Sequence, residues 1–468
     1  MERLKLYIDG IWTEADGREI IEVLNPESHE VIAKVPRCNE KDVNRGVAAA
    51  KKAFVTWQYT PLEERLSLME KVVQGMKDNR ELFIKTISAE LGCPIKVAAE
   101  SHTNPSILEA ENYVRIAREF NYEERRETSV VRREPVGVVA GLTPWNFPFE
   151  QIEKKVVPAL LAGCCVILKP SQQTPLTAYL LADLIEKVGY PAGVFNLIPG
   201  RGAEVGNVLA LHPDVDMISF TGSTNAGREV GRFALSNIKR IALELGGKSA
   251  AILLKGGDSE FAVKSVLDTV VPNAGQTCNA LTRLLVPKDE LKSVENIILE
   301  QLKNYKCGAN SDYDTDQGPL ASQKQFDRVK KYIQIGIDEG ARLLTGGLPK
   351  EGKDFYVEPT VFVDVEPAMR IAQEEIFGPV LVVISYDTVD EAVEIANDSI
   401  YGLGGAVFGS EEEANAVARR IRTGTIYVNR GQYDIESPFG GYKQSGIGRE
   451  GGTEGYEEFL EVKTIYDC

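Results

Sequence analysis

One cysteine of seven, Cys278, lies in a short polar stretch, "NAGQTCNALTR", from Asn273 to Arg283. A helix pattern with apolar residues at Val263, Val266, Leu267 and Val270 precedes it, followed by Pro272 and a tight loop through Gly275. A thiol on such a loop can meet a ligand and be activated by nearby N–H dipoles, which makes it a candidate nucleophile. The other reading is a packing cysteine. A nucleophile needs a base. The three histidines, His29, His102 and His212, each sit in a polar stretch away from any glycine-rich turn, so the base is sought among carboxylates. Glu244, in the apolar run "RIALELGG", is the candidate. A carboxylate there is costly unless paired or used, and burial raises its pKa toward the range of a general base. A structural glutamate held by a partner is the alternative. Asn146, in "GLTPWNFPFE", stands between Trp145 and Phe147 with prolines on both sides. An amide on so rigid a loop can donate to a developing oxyanion, or it can be a packed turn residue.

Two further stretches suit a phosphate-bearing ligand. In "MISFTGSTNAGREVG" a strand pattern runs into Gly222-Ser223-Thr-Asn-Ala-Gly227, and a helix pattern follows. Glycines let the backbone approach a phosphate, and a helix N-terminus supplies free N–H groups. A plain strand-to-helix turn reads the same way, and the stretch is neither GxGxxG nor a Walker loop. In "LKPSQQTPL", Lys169 follows an apolar run, at the carboxyl edge where open α/β sheets bind ligands. A solvated strand-end lysine is its other reading. With three histidines and no Cys-x-x-Cys pair, no metal site is expected.

These groups need a frame. The chain opens with strand-like pieces, "LKLYIDGIWT" and "VIAKVP", then a helix pattern from Lys41 to Trp57 and helices through residues 61–120. "RRETSVVRREPVGVV" reads as extended chain. From Pro135 short apolar runs recur with helical stretches between them: "VGVVAG", "CCVILKP", "GVFNLIPG", "DMISFTGS", "RIALELGG". Such alternation means βαβ units and a parallel sheet, whose strands are apolar because both faces are buried. One helix is expected to start with Thr174 as N-cap and Pro175 in its first turn. The beat restarts at "SAAILLK" and continues through "RLLVP", "PVLVVISY" and "GTIYVN", with the glycine pair of "LGGKS" as a hinge. The 468 residues suffice for two or three domains. A net charge of −16 argues against nucleic acid and anionic membranes as partners. There is no apolar run long enough to span a bilayer and no signal-peptide pattern at the start. The odd cysteine count favours no disulfide framework, so a reducing cytoplasm is expected.

Taken together, five stretches resemble one family in their order: Phe220-Thr-Gly-Ser-Thr, Leu243-Glu-Leu-Gly-Gly-Lys248, Gly275-Gln-x-Cys278, Glu374-Glu-Ile-Phe-Gly-Pro-Val380 and Pro438-Phe-Gly-Gly-x-Lys443-x-Ser-Gly446. The chain is similar to the NAD(P)-dependent aldehyde dehydrogenases over essentially its whole length. The resemblance implies that Cys278 attacks an aldehyde carbon to give a thiohemiacetal, with Asn146 and the Cys278 N–H holding the oxyanion. Hydride then passes to the nicotinamide, and Glu244 activates the water that hydrolyses the remaining thioester to a free acid. Glu450, in "GIGRE", matches a second glutamate of a proton relay. For the cofactor it implies Lys169, Ser171 and Gln172 at the ribose side, Gly222, Ser223 and Gly227 at the pyrophosphate, Glu375 at the nicotinamide ribose, and Trp145 and Phe377 as further contacts. The implied fold is α/β: a Rossmann-like cofactor domain (1–117 and 136–246), an α/β catalytic domain (247–445) and a β oligomerisation flap (118–135 and 455–468), assembled as a homodimer or homotetramer.

The sequence departs from the family at the cofactor. Many NAD-specific members carry a glutamate three residues after the lysine of "LKPS", which repels a 2′-phosphate. Gln172 stands here, so NAD or NADP is admissible. For the substrate, Gln151, Lys154, Thr277, Asn279, Tyr433 and Phe439 fall on the tunnel walls by register with the family. A lysine among them points to a polar or anionic aldehyde. A cysteine acyl-hydrolase without redox chemistry and a non-catalytic member of the family are the competing readings.

Overall fold

The computed structural model describes residues 2–349 and 355–466; Cys468 lies outside them. Its architecture is α/β, built on two large sheets. The first has eight strands, in the spatial order Gly446–Ile447, Arg240–Glu244, Met217–Thr221, Val138–Leu142, Cys165–Lys169, Phe195–Leu197, Lys5–Ile8 and Ile11–Glu14. The middle five are parallel. They are the apolar runs of the sequence, buried between helices on both faces. The opening hairpin turns at Asp9-Gly10, both with positive φ, the backbone that a tight two-residue hairpin demands.

The order of these strands places the site. From Val138–Leu142 the chain steps outward on one side to Cys165–Lys169 and Phe195–Leu197. It then returns to add Met217–Thr221 and Arg240–Glu244 on the other side. The direction of winding reverses between Leu142 and Thr221, which opens a crevice at the carboxyl ends of the strands. The loops leaving those two strands carry Asn146 and the Gly222–Gly227 turn, and Lys169 ends the next strand.

The second sheet has seven strands, in the order Arg342–Thr345, Thr360–Val363, Val380–Tyr386, Arg283–Pro287, Ala250–Leu253, Gly405–Phe408 and Tyr427–Val428. All pair in parallel except Arg342–Thr345 at one edge. Its two faces are covered by separate apolar clusters. The chain then returns to the first sheet, where Gly446–Ile447 pairs antiparallel with Leu243 and Glu244. A small antiparallel sheet joins Leu460–Tyr466, Ser129–Pro135 and Glu123–Arg125. Its edge strand leaves Val462, Ile465 and Tyr466 exposed.

One expectation about local structure fails. Thr174 does not cap the Leu176–Val188 helix; its hydroxyl donates to the Trp145 carbonyl at 3.3 Å. The orphan N–H groups go to Glu90, far back in the chain. Its carboxylate accepts from the backbone of Leu176 (2.7 Å) and Thr177 (3.2 Å) and from the Thr177 hydroxyl (2.5 Å). A buried carboxylate with three donors does more than a hydroxyl could there. Burial still outweighs those donors and lifts the Glu90 pKa to about 7.

Candidate active site

The loop before Cys278 is held in an unusual backbone. Asn273, Ala274 and Gly275 have φ of 53°, 51° and 68° in succession. Three left-handed residues in a row are strained and persist only when their surroundings fix them. A Cβ on Gly275 would lie 2.3 Å from the Gly378 carbonyl oxygen, so the loop is pressed against the "IFGPV" segment and only glycine fits. Side-chain amides complete the clamp. Asn273 Nδ2 donates to the Asn146 carbonyl at 3.0 Å, and Gln276 Oε1 accepts from the Ala321 N–H at 2.9 Å. Asn146 Nδ2 in turn donates to the Gln276 carbonyl at 3.0 Å. That bond uses one amide hydrogen of Asn146 and leaves the second. Among the described residues the Cys278 N–H makes no hydrogen bond. Among the described residues one Asn146 amide hydrogen and the Cys278 N–H are thus left without acceptors, donors of the kind an oxyanion site uses. Thr277 and Asn279, on either side, are partly buried.

Glu244 ends its strand beside this loop. It is 4% exposed, and among the described residues neither carboxylate oxygen has a hydrogen-bond partner. The glycines around it make room. A Cβ on Gly440 would lie 2.8 Å from Glu244 Oε1, and one on Gly247 would lie 2.5 Å from the Cys278 carbonyl oxygen. Burial first, and then the charge of Glu450, push the Glu244 carboxyl well above the usual carboxylate range. A buried, unpaired carboxyl costs stability, and it is the state a general base needs. The Cys278 thiol is also pushed up, by burial and then by the carboxylates of Glu150, Glu244 and Glu375.

The Pro148–Ala162 helix supplies two rows of charge one turn apart. In one row Lys155 Nζ contacts Gln151 Oε1 (3.4 Å), the Thr221 hydroxyl (2.7 Å) and the Glu450 carboxylate. Thr221 lies opposite Glu244 in the strand pairing, so this row ends against the candidate base. Gln151 therefore serves Lys155 rather than standing free on a tunnel wall. In the other row Lys154 Nζ lies 2.6 Å from Glu150 and 3.2 Å from Glu109, and 5.4 Å from the Phe439 ring centre. Tyr433 donates its hydroxyl to Glu109. Lys154 is buried and doubly paired, so the free cation that pointed to an anionic aldehyde is not there.

The residues that the resemblance assigns to a dinucleotide come from both large sheets and the loops that follow their strands. Lys169 is buried, and among the described residues its ammonium donates to the Pro170 carbonyl alone, at 2.8 Å. Burial lowers its pKa to about 8, and its remaining donors suit a pair of ribose hydroxyls. Gln172 is exposed beside Ser171, whose hydroxyl accepts from the Gln173 N–H. Ser223 caps the Thr224–Leu235 helix through the Ala226 N–H, leaving the first N–H groups after Gly222 for an anion. Gly227 is required for packing, since its Cβ would meet Leu245 at 2.4 Å. Glu375 accepts from the Gly247 N–H at 3.1 Å, and Phe377 meets Trp145 edge to face at 5.4 Å. A glycine opposite the Glu375 carboxylate, Gly246, keeps that side open, because a Cβ there would lie 2.6 Å from both oxygens. These features fit a nicotinamide dinucleotide. Among the described residues no cluster of three or more His, Cys, Asp or Glu could hold a metal ion.

The reading of the histidines needs correction. His102 is not in a polar setting: it is fully buried, and its ring stacks on Phe147 at 4.4 Å, next to Asn146. Neither ring nitrogen has a partner among the described residues, and burial drops its pKa to about 3. It is neutral and packs the oxyanion loop. Lys155, Glu109, Glu150 and Lys248 were not legible as site residues. Lys248 follows the glycine pair, is buried with no partner for Nζ among the described residues, and has its pKa lowered to about 7, mainly by burial. A signal was present for the lysines of "EQIEKKVVPALLA": charged residues inside a helix whose other positions are apolar on every side.

The 3-succinoylsemialdehyde-pyridine dehydrogenase of a Pseudomonas species is 44% identical over 466 residues, 98% of each chain. Among solved structures, aldehyde dehydrogenase C of Pseudomonas syringae, a cysteine-to-alanine mutant with NAD+ and octanal, superposes with a TM-score of 0.95 at 44% identity, covering 99% of this chain and 96% of that one. An aldehyde dehydrogenase of Mycobacterium tuberculosis with NAD+ gives a TM-score of 0.97 at 43% identity, covering 100% and 99%. The family whose sequence pattern matches residues 12–465 is the same, and the chain belongs to the aldehyde dehydrogenase family.

Proposed function

We propose that the protein oxidises an aldehyde to the carboxylic acid with NAD or NADP, through a thiohemiacetal and a thioester on Cys278. The observation that carries the reading is Glu244: a buried carboxyl without a partner among the described residues, near a cysteine loop that leaves two donors unsatisfied there. A hydrolase acting on thioesters would use the same base, but it would leave Lys169 and Glu375 idle in their crevice.

The thiol of Cys278 is held protonated by burial and three carboxylates. Its attack on a carbonyl therefore needs a proton acceptor, and Glu244 is placed to serve. Asn146 and the Cys278 N–H hold the oxygen as it gains charge. The nicotinamide cofactor, when bound, accepts the hydride. Once that first proton has passed on, Glu244 takes a second from the water that attacks the thioester, and the acid is released as the Cys278 thiolate leaves. In this reading each proton moves on from Glu244 to Glu450, which Lys155 and Thr221 hold. Lys169 orients the cofactor through its ribose, and Glu375 does so through the nicotinamide side. In this reading the first sheet is the core of the cofactor domain, the second that of the catalytic domain, and the small sheet the oligomerisation flap. The relatives do not fix the substrate, since one is named for a pyridine semialdehyde and another was solved with octanal.

The test is formation of reduced nicotinamide, followed by its absorbance, with a panel of aldehydes and both cofactors. Activity is expected in the unmodified protein and none in Cys278→Ala. Hydrolysis of thioesters with no aldehyde oxidation would overturn the reading in favour of an acyl-hydrolase.

A further inference from the structure

The charge around Lys154 points to a class of substrate, an inference that rests on the aldehyde-oxidising reading. We infer that the passage to Cys278 selects an aldehyde whose far end is an amine and rejects one ending in a carboxylate.

The argument begins with Lys154. A buried lysine near a substrate passage would ordinarily attract an anion. Here its Nζ is bonded to Glu150 Oε1 at 2.6 Å and to Glu109 Oε1 at 3.2 Å. The Glu109 pair is deep in the protein, where Lys154 is 2% and Glu109 3% exposed, and Glu150 is partly exposed. Two carboxylates thus answer one ammonium. If Glu109 is ionised the group is negative by one charge, and if it is protonated the group is neutral. It is positive in neither case. A substrate carboxylate would have to draw Lys154 away from one of these carboxylates, which is unfavourable for a charge so deeply buried.

Two observations go further and favour a cationic donor. Glu109 Oε1 receives both Lys154 and the Tyr433 hydroxyl, whereas Oε2, equally buried, has no hydrogen-bond partner among the described residues. A buried carboxylate oxygen without a donor is what an incoming N–H would satisfy. Glu150 sits on the sulfur's side of the group. It lies in the first turn of the helix that follows Asn146, is 21% exposed, and after burial is the strongest influence on the Cys278 thiol, ahead of Glu244. An aldehyde bound to that sulfur is therefore inferred to extend by Glu150, where a cation is favoured and an anion opposed.

Three aldehydes sharing OHC–CH₂–CH₂–X make the test: 3-aminopropanal (X an ammonium), butanal (X a methyl) and succinic semialdehyde (X a carboxylate). For the unmodified protein, kcat/KM for the amine is expected to exceed that for the carboxylate by at least about tenfold, the effect of one charge pair near a protein surface. Glu150→Gln is expected to narrow that ratio by a similar factor. Should the variant not fold, competition in the unmodified protein serves: 3-aminopropanol should inhibit butanal oxidation more strongly than 4-hydroxybutyrate. Equal or better use of succinic semialdehyde, a ratio unmoved in Glu150→Gln, or stronger competition by 4-hydroxybutyrate would overturn the inference. If butanal is oxidised while the order is reversed, only this inference falls. If none of the three is oxidised, it falls together with the aldehyde reading.

Discussion

In the proposed reaction Cys278 acts only if its proton has somewhere to go, and Glu244 is proposed as the acceptor. The two residues should fail differently. Cys278→Ala is expected to abolish oxidation. Glu244→Gln should slow the early burst of reduced cofactor together with steady turnover, each by about 10²–10⁴-fold, the usual worth of a positioned base. A full burst followed by slow turnover would show that Glu244 serves the water and not the thiol. The acid limb of kcat is a second test. Glu244 works only when ionised, and burial and Glu450 raise its pKa. The rate should therefore climb with pH through a window above the ordinary carboxylate range. Lys155 opposes that rise, so Lys155→Met should shift the limb of the coupled pair to higher pH. A limb that stays put or moves down would break the proposed relay. Cys278, Glu244, Asn146 and Glu450 could be proposed from the sequence because each sits in a short stretch that is itself distinctive. Lys155 and Glu109 were not, since a lysine or glutamate in a helix reads as solvated until the packing around it is known.

The Pro148–Ala162 helix shows the same limit in an element. It carries Glu150, Glu153, Lys154 and Lys155 among apolar positions, and side chains of that kind ordinarily stand in water. The structure buries nearly every residue of it, because the first sheet lies on one side and the Asn104–Glu119 helix on another. Amphipathic reading fails for an element enclosed all round, and the charges it carries inward are those of the site. The cap of the Leu176–Val188 helix was illegible for a related reason: the capping carboxylate stands 86 residues away. Glu90→Ala would strand two buried N–H groups and the Thr177 hydroxyl, at about 1–3 kcal/mol for each unsatisfied group. For a large protein this is read as kinetic stability. The variant should lose activity several-fold faster at a fixed elevated temperature, and an unchanged half-life would show that water satisfies the helix end.

For the whole molecule, the βαβ beat was legible from residue 135 onward, because parallel strands buried on both faces have no polar positions to confuse the pattern. The return of Gly446–Ile447 to the first sheet was not, being two residues long. The exposed edge of Leu460–Tyr466 was anticipated as a surface for a second copy. Deleting residues 461–468, which spares buried Phe459 and Leu460, should reduce the particle mass in light scattering if Val462, Ile465 and Tyr466 are covered in an oligomer. An unchanged mass would sink that assembly.

Cofactor choice also belongs to this scale. NADP brings about two more negative charges than NAD to a molecule of net charge −16. That field is screened beyond about 8 Å at physiological ionic strength, so the side chains at the ribose decide. Lys169 supplies a cation, and Gln172, exposed three residues on, supplies no repelling charge. The two cofactors should therefore give kcat/KM values within about a hundredfold, or under about 3 kcal/mol. Gln172→Glu should lower the value for NADP by at least about tenfold, through a like charge near the 2′-phosphate, with a smaller effect on NAD. A preference for NAD beyond about a hundredfold in the unmodified protein would mean that some other group in the crevice excludes the phosphate, and Gln172→Glu would then leave the ratio unmoved.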